Sequence, residues 1–499
     1  MASRYGMNCT SLTFRTLFAE QLALNPDAAA AVDGGRSWSW RELDRKADAI
    51  AGFLASRGVR AGNHVGLCAV NSASWIAAFF AINRLGAMAM LINAALSVEE
   101  IRKVRDCGDV RYLLSDVKGC DGIGLGEHVF DLHTAESQVL PYEPTLRDEC
   151  DDPSVVIFTS GSTGRPKGVL LSAYNIIRSG EAFADRLRLV ADDRVCLPLP
   201  FFHIFGLGML MATYLRHAEI HLISGRHVTG MIEALTNGRC TVLASVPTLA
   251  LALVSNPSYD AGSVGALRRM VLGGSACGAT MLHRLLEALP ESCELQIVYG
   301  LSEMVPITIT DPGRSAEALA KSVGRPVDAV RIRMAENGEI LARGEQLMAG
   351  YYRTALEDQS IDADGWLHTG DLGELDDDGR LRFRGRSKDV IIRGGENIMP
   401  EEVVDALMAC SGVADARVFG EPDEFWGETV LAVVASTDGF VPDERRLTAE
   451  LESRLAKFKR PSRFVFLKSF PQLANGKVDM VALKQLTGIP TVSERRRHS

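Results

Sequence analysis

Hydroxyl side chains and glycines crowd residues 159–168, where the chain reads Thr-Ser-Gly-Ser-Thr-Gly-Arg-Pro-Lys-Gly. Backbone N–H groups and hydroxyls donate to phosphate oxygens, glycine lets the backbone approach them closely, and Lys167 adds a mobile positive charge. The apolar run at 154–158 predicts a buried strand directly before this segment. A Walker P-loop ends in Gly-Lys-Ser/Thr before a helix, and this segment does not. It therefore predicts a phosphate-binding loop of another kind, formed by Thr159, Ser160, Gly161, Ser162, Thr163, Gly164 and Lys167.

Five later motifs, together with this segment, give the chain a family resemblance. They are Tyr-Gly-Leu-Ser-Glu at 299–303, Gly-Tyr-Tyr-Arg at 350–353, Thr-Gly-Asp at 369–371, a glycine-rich segment at 385–398 and Asn-Gly-Lys at 475–477. In this order they resemble the adenylate-forming, AMP-binding superfamily of acyl- and aryl-CoA synthetases, peptide-synthetase adenylation domains and luciferases. The resemblance runs from about residue 14 to about residue 486. It is closest to fatty-acyl and aryl-CoA synthetases of the 4-coumarate-CoA-ligase type.

The resemblance implies which residues surround ATP. Ser302 would contact the α-phosphate, and Glu303 would hold Mg²⁺ because a carboxylate is a hard oxygen ligand. Asp371 would bind the ribose, since a carboxylate accepts two hydrogen bonds from a vicinal diol, and Arg386 would reach the same sugar. The other residues expected around ATP are Gly274, Ser275, Tyr299 and Gly300.

The C-terminal motifs imply a mobile lid. By resemblance, Lys477 is the adenylation lysine, and Lys388 is the hinge about which the lid swings. Gly394 and Gly395 suit close approach by the pantetheine arm of a thiol substrate. One departure from the family is Leu473, where relatives usually carry a threonine two residues before Asn-Gly-Lys. It removes a small polar contact and leaves the lysine in place.

An aromatic segment bears on which acid is activated. Residues 200–206, Pro-Phe-Phe-His-Ile-Phe-Gly, resemble the aromatic motif of fatty-acyl and aryl-CoA synthetases. Relatives that activate amino acids carry an aspartate at the position of His203, where it pairs with the substrate ammonium, so an amino acid is disfavoured. A hydrophobic fatty or aryl acid is implied, of unresolved chain length. The pocket is expected to be lined by Phe202, His203, Phe205, Val246, Gly300, Met304 and Val305.

The implied enzyme is an ATP-dependent, AMP-forming carboxylate-CoA ligase. It would convert the acid and ATP to acyl-AMP and pyrophosphate and then pass the acyl group to CoA, with Mg²⁺ as the metal. A stand-alone adenylation enzyme that loads an acyl carrier protein stays open as the alternative. A light-emitting oxidase is a distant third, and a non-enzymatic scaffold is disfavoured because every motif with a catalytic role is retained. The residues expected to carry the chemistry are Lys477, Lys167, Ser302 and Glu303.

Composition and charge limit the class of protein. With 499 residues, 46% hydrophobic and 23% charged, the chain is typical of a soluble globular protein with at least two domains. A net charge of −9 argues against a nucleic-acid surface. The ten cysteines lack C-x-x-C spacing, which favours reduced thiols. Residues 76–96 are apolar but interrupted, which predicts a buried helix followed by a strand and no membrane span. We expect a cytoplasmic monomer or homodimer.

Apolar runs alternate with helical patterns and predict an α/β fold with largely parallel sheets. The strand-like runs lie at 64–70, 195–199, 219–223 and 270–272. The helical patterns lie at 40–57, 175–189, 280–288 and 401–408. We expect a large multi-sheet AMP-binding domain at 1–387 and a small mobile α+β lid at 388–499, with a disordered tail at 493–499.

Overall fold

The computed structural model describes residues 13–144, 152–160, 166–223, 227–275, 277–353, 360–393, 396–423, 426–436, 443–452, 454–473 and 478–488. The strands before the predicted hinge are, in chain order, β1 (Ala29–Asp33), β2 (Arg36–Ser39), β3 (His64–Cys68), β4 (Met88–Leu91), β5 (Tyr112–Ser115), β6 (Val129–Asp131), β7 (Pro153–Ser160), β8 (Pro166–Ser172), β9 (Arg194–Leu197), β10 (Glu219–Leu222), β11 (Val242–Ser245), β12 (Arg269–Leu272), β13 (Glu294–Leu301), β14 (Met304–Ile309), β15 (Arg325–Pro326), β16 (Arg331–Met334), β17 (Glu339–Arg343), β18 (Gly350–Tyr351), β19 (Leu367–Leu375) and β20 (Leu381–Arg386).

The helices of the same part are, in chain order, α1 (Phe14–Leu24), α2 (Trp40–Ser56), α3 (Ala73–Arg84), α4 (Val98–Gly108), α5 (Leu132–Glu136), α6 (Ala173–Leu187), α7 (Ile204–Leu215), α8 (Val228–Thr236), α9 (Pro247–Val254), α10 (Ala279–Ala288) and α11 (Ala316–Lys321). The elements after the predicted hinge are the strands β21 (Ile391–Arg393), β22 (Glu396–Ile398), β23 (Val413–Asp423), β24 (Gly427–Ser436) and β25 (Arg463–Leu467), and the helices α12 (Pro400–Met408), α13 (Glu444–Glu452) and α14 (Met480–Thr487).

Two large sheets dominate the part before the hinge. The nine-stranded sheet has the order β15-β14-β13-β12-β11-β9-β10-β1-β2, and its strands run parallel from β13 to β1. The seven-stranded sheet has the order β18-β8-β7-β4-β3-β5-β6 and is parallel from β7 to β6. Helices cross between the parallel strands, because a parallel pair cannot be joined by a tight turn.

Helix α3 explains how the two sheets share one core. Its residues 73–82 are all buried, and all of them except Ser74 are apolar. Trp75 stacks on Phe79 within the helix at 5.5 Å between ring centres and contacts Phe201, which follows β9. The predicted helix and strand within 76–96 are therefore confirmed as α3 and β4. In the part of the chain that is described, no helix is both long and apolar enough to cross a membrane.

The remaining sheets are mainly antiparallel. Strands β16, β17, β19 and β20 form a four-stranded antiparallel sheet, and after the hinge β21–β24 pair antiparallel, with β25 added parallel to β24. Short turns such as 335–338 and 376–379 join neighbours directly, which allows only antiparallel pairing. The prediction of an α/β fold with a smaller C-terminal domain is confirmed, and its largely parallel character holds for the two large sheets.

Candidate active site

One group of predicted site residues lies at the carboxyl end of the parallel strands of the nine-stranded sheet. The parallel strands β9, β11, β12 and β13 are neighbours and end there together. In open α/β sheets, ligands bind in the crevice outside these carboxyl ends. The loops that leave the strand ends carry, in order, Phe202 and His203, Val246, Gly274 and Ser275, and Ser302 and Glu303.

The predicted phosphate loop lies between two strands that pair with each other. Strands β7 and β8 pair antiparallel, with Thr159 opposite Lys167 and Ser160 opposite Pro166. The Thr159 hydroxyl donates to the Lys167 carbonyl at 3.4 Å. The predicted residues Gly161, Ser162, Thr163 and Gly164 lie outside the described part of the chain. A segment placed between two antiparallel strands differs from the Walker loop, which leads into a helix.

A tyrosine links this hairpin to the turn that holds Glu303. The Tyr351 hydroxyl donates to Glu303 Oε1 at 2.6 Å. The Lys167 ammonium lies 5.0 Å from the centre of the Tyr351 ring. Burial, and next the charge of Glu303, raise the pKa of Tyr351, so this hydroxyl stays protonated and donates. The sequence motif contained Tyr351, but nothing in its spacing indicated a role.

A second tyrosine holds the predicted ribose residue. The Tyr299 hydroxyl donates to Asp371 Oδ2 at 2.9 Å, and Arg386 Nε lies 3.3 Å from Asp371 Oδ1. Asp371 and Arg386 are opposite one another on β19 and β20. Asp371 is only 2% exposed, whereas about half of the Arg386 side chain is exposed. Burial, and next the charge of Asp371, raise the pKa of Tyr299 well above its usual value.

Apolar side chains and glycines form the predicted acid pocket. Phe205 packs beside Gly273, where an added Cβ atom would lie 3.0 Å from the Phe205 ring. Val246 packs beside Gly274, where an added Cβ atom would lie 3.5 Å from the Val246 side chain. A Cβ atom at Gly300 would lie 2.6 Å from Val305, so only glycine fits at this position near the end of β13. Phe202, His203, Phe205 and Val246 are half-buried, whereas Met304 and Val305 lie in the core.

A buried asparagine fixes the loop that carries Phe202 and His203. Asn71 Nδ2 donates to the Leu199 carbonyl at 2.7 Å, and the Phe201 N–H donates to Asn71 Oδ1 at 3.0 Å. Asn71 follows β3 of the seven-stranded sheet, so these bonds join the two large sheets. No sequence pattern indicated this contact, because a lone asparagine before a helix is usually a turn residue.

The predicted lid lies against β20, the strand that leads into the predicted hinge. A Cβ atom at Gly385 would lie 2.3 Å from Glu401 Oε2 of helix α12, and one at Gly278 would lie 3.8 Å from Asp405 of the same helix. Lys388 lies in the short turn Ser387–Asp389 between these parts. The predicted residues Lys477, Gly394 and Gly395, and the tail 493–499, lie outside the described part of the chain.

The described residues suit Mg²⁺ held by few protein ligands. No group of three or more His, Cys, Asp or Glu side chains that could hold a metal occurs among them. Mg²⁺ in nucleotide sites is usually bound by one or two carboxylates together with substrate phosphates and water. Glu303 fits this pattern, because its carboxylate is half-buried beside the phosphate hairpin and is fixed through one oxygen by Tyr351.

Comparison with known proteins decides the family. The chain matches the model of the AMP-binding enzyme over residues 18–352 and that of the AMP-binding enzyme C-terminal domain over residues 402–477. The chain belongs to the AMP-binding enzyme family. The chain is 30% identical to a feruloyl-CoA synthase of Amycolatopsis sp, over 91% of its own length and 95% of that protein.

Two solved structures are similar to this chain over nearly its whole length. One is ATP-bound MatB from Rhodopseudomonas palustris, with a TM-score of 0.86 and 26% identity over 96% of this chain and 99% of that one. The other is O-succinylbenzoate coenzyme A synthetase from Bacillus subtilis in complex with ATP and magnesium ion, with a TM-score of 0.84 and 28% identity over 94% and 99%. The predicted enzyme class, an ATP-dependent, AMP-forming CoA ligase, is confirmed, as are ATP, Mg²⁺ and CoA.

Proposed function

We propose that the ligase activates a hydrophobic carboxylic acid, fatty or aryl, and transfers it to CoA. The observation that carries the proposal is the apolar character of the segments that follow β9 and β11 at the carboxyl end of the nine-stranded sheet. Phe202, Phe205 and Val246 keep part of their surface exposed there, and His203 is the one ionisable residue of the segment 200–206. Aromatic and aliphatic walls favour an apolar acyl group.

The same lining disfavours amino acids. An amino acid brings an ammonium group, and at position 203 the ligase has an imidazole in place of a carboxylate that would pair with it. Leaving a charged group desolvated and unpaired costs several kcal/mol, and about 1.4 kcal/mol is already a tenfold preference. We therefore expect the ligase to discriminate against amino acids, because position 203 has no carboxylate to pair with their ammonium group.

The first half-reaction rests on positive charge around the phosphates. The acid carboxylate attacks the α-phosphorus of ATP, pyrophosphate leaves, and acyl-AMP remains. Negative charge spreads over the phosphate oxygens, and Lys167 and Lys477 would offset it while Ser302 contacts the α-phosphate. Mg²⁺ bound at Glu303 would neutralise part of the same charge. The N–H groups and hydroxyls of the hairpin loop would hold the phosphates in line.

The second half-reaction requires the lid. We place the domain boundary at Lys388, with residues 1–387 binding ATP and the acid, and residues 388–499 acting as the lid. Acyl-AMP hydrolyses readily, so a closed lid protects it from water. Rotation about Lys388 would withdraw Lys477 and bring Gly394 and Gly395 to the thiol. Asp371 and Arg386 would keep the ribose in place during both steps.

An ATP–pyrophosphate exchange assay across medium-chain fatty, aryl and amino acids tests the proposal. A fatty or aryl acid is expected to support exchange at least tenfold faster than any proteinogenic amino acid, about 1.4 kcal/mol of discrimination. His203→Asp should slow exchange with the best hydrophobic acid, whereas His283→Asp at an exposed position on α10 should not. An amino acid as the best substrate of the wild-type enzyme would overturn the proposal.

A further inference from the structure

Strand β18 holds Tyr351 between the phosphate hairpin and the Glu303 turn. It pairs with β8, so that Tyr351 lies opposite Val169 and Gly350 opposite Leu170. Lys167 is two residues before Val169 and therefore lies on the same face of β8. The pairing explains why the Tyr351 ring comes to lie beside the lysine, although the two residues are far apart in the chain.

The backbone around Tyr351 is tied on both sides. The Met348 N–H donates to the Glu303 carbonyl at 2.8 Å, and the Tyr352 N–H donates to the Gly168 carbonyl at 2.8 Å. Gly168 has no room for a side chain, because a Cβ atom there would lie 2.9 Å from Val156 and 3.1 Å from Tyr352. Tyr351 itself is 8% exposed. Its ring is consequently a fixed part of the site.

The two ends of Tyr351 engage opposite charges. Its hydroxyl donates to Glu303 Oε1 at 2.6 Å, and its ring face receives the Lys167 ammonium 5.0 Å from the centre. Among the described residues, Lys167 and Glu303 form no ion pair with each other, and both contact Tyr351. A lysine and a glutamate that paired with each other would neutralise the two groups that ATP and Mg²⁺ require. The tyrosine occupies the space between them.

We propose that Tyr351 is a positioning residue for adenylation. It orients the Glu303 carboxylate toward the metal and keeps the Lys167 ammonium available to phosphate, by holding each charge through a different part of its side chain. The inference rests on the roles proposed above for Glu303 and Lys167. It assigns a function to the Gly-Tyr-Tyr-Arg motif, which had none.

Two substitutions separate the two contacts. Tyr351→Phe keeps the ring and removes the hydroxyl, so it should raise the Mg²⁺ concentration for half-maximal pyrophosphate exchange roughly tenfold, as expected for one hydrogen bond to a charged group. Tyr351→Leu removes both contacts and should in addition raise the KM for ATP. Tyr352→Phe is the matched control and should change neither. Thioester formation from supplied acyl-AMP should be unchanged in all three variants.

A direct measurement of metal binding tests the role of Tyr351 without any acid substrate. Mn²⁺ binding followed by electron paramagnetic resonance, with ATP and no acid, should weaken about tenfold in Tyr351→Phe. Glu303→Gln should remove most of this difference, since coupled residues are not additive. Equal losses in both half-reactions, or unchanged Mn²⁺ affinity, would overturn the inference. Failure of every hydrophobic acid in wild-type exchange with normal Mn²⁺ affinity would instead contradict the proposed substrate class alone.

Discussion

The Tyr299 hydroxyl donates to the buried Asp371 carboxylate at 2.9 Å, across an interface between two sheets. Tyr299 belongs to β13 of the nine-stranded sheet and Asp371 to β19 of the four-stranded sheet. Arg386 approaches the other oxygen of the same carboxylate at 3.3 Å. The position of Asp371 therefore depends on a residue of the motif at 299–303, and the two motifs form one site.

Removal of the Tyr299 hydroxyl is expected to weaken ATP binding. Tyr299→Phe leaves the ring in place and deprives a buried carboxylate of a donor, which costs about 1–3 kcal/mol. The KM for ATP in pyrophosphate exchange should rise about tenfold, with the KM for the acid little changed. Tyr259→Phe, which removes a hydroxyl bonded to the Ala288 carbonyl elsewhere, is the control. An equal rise in both KM values would contradict a specific link to the ATP site.

Glu401 is expected to make docking of the lid depend on pH. Burial, followed by the negative charges of Asp389, Asp405 and Asp371, raises the pKa of Glu401 from 4.5 to about 7. One of these carboxylates, Asp371, pairs with Arg386. Glu401 therefore binds its proton more tightly when the lid is docked than when it is undocked. Docking should therefore be most stable at low pH and weaken as pH rises from 4.5 to about 7.

Thermal unfolding measured from pH 5 to pH 8 checks this expectation. Glu401→Gln should match the wild type near pH 5 and exceed its midpoint by a few degrees near pH 8, because the amide carries no charge at either pH. Other buried carboxyl groups affect the unfolding midpoint of the wild type and of Glu401→Gln equally, so they do not contribute to the difference between the two midpoints. Glu402→Gln, on the same helix but paired with Lys459, is the control and should not change the slope. A pH-independent difference for Glu401→Gln would contradict the expectation.

Asn71 is expected to govern acid binding from outside the pocket. Asn71→Ala removes both hydrogen bonds to the loop 199–201 and leaves buried backbone groups unpaired. The KM for the acid should rise about tenfold, and the KM for ATP should rise much less. Asn83→Ala removes a similar bond within α3, to the Phe79 carbonyl, and serves as the control. An unchanged KM for the acid in Asn71→Ala would contradict the prediction, because the loop would then keep its shape without the two hydrogen bonds.

Local patterns predicted the elements well. Helix α2 was expected at 40–57 and occurs at Trp40–Ser56, where Ser39 and Glu42 cap its first turn reciprocally. The strand before the phosphate loop, expected at 154–158, occurs as β7. These predictions succeed because capping residues and apolar runs determine the structure of the few residues next to them in the chain.

Contacts between distant elements could not be predicted. The bond from Tyr351 to Glu303 depends on β18 pairing with β8, and strands of two residues have no sequence signal. The approach of Glu401 to Gly385 depends on how the lid packs, which no local pattern encodes. The roles of Lys388, Lys477, Gly394 and Gly395 stay predictions, as do those of the loop residues 161–164.

Product analysis of a single reaction mixture tests the central claim most directly. The enzyme is incubated with ATP, Mg²⁺, CoA and the best fatty or aryl acid from the exchange assay, and nucleotides and thioesters are separated by chromatography and mass spectrometry. The account predicts one acyl-CoA, one AMP and one pyrophosphate for each ATP consumed, with CoA alone saturating the second step. Release of ADP, or accumulation of acyl-AMP that only a carrier protein discharges, would contradict it.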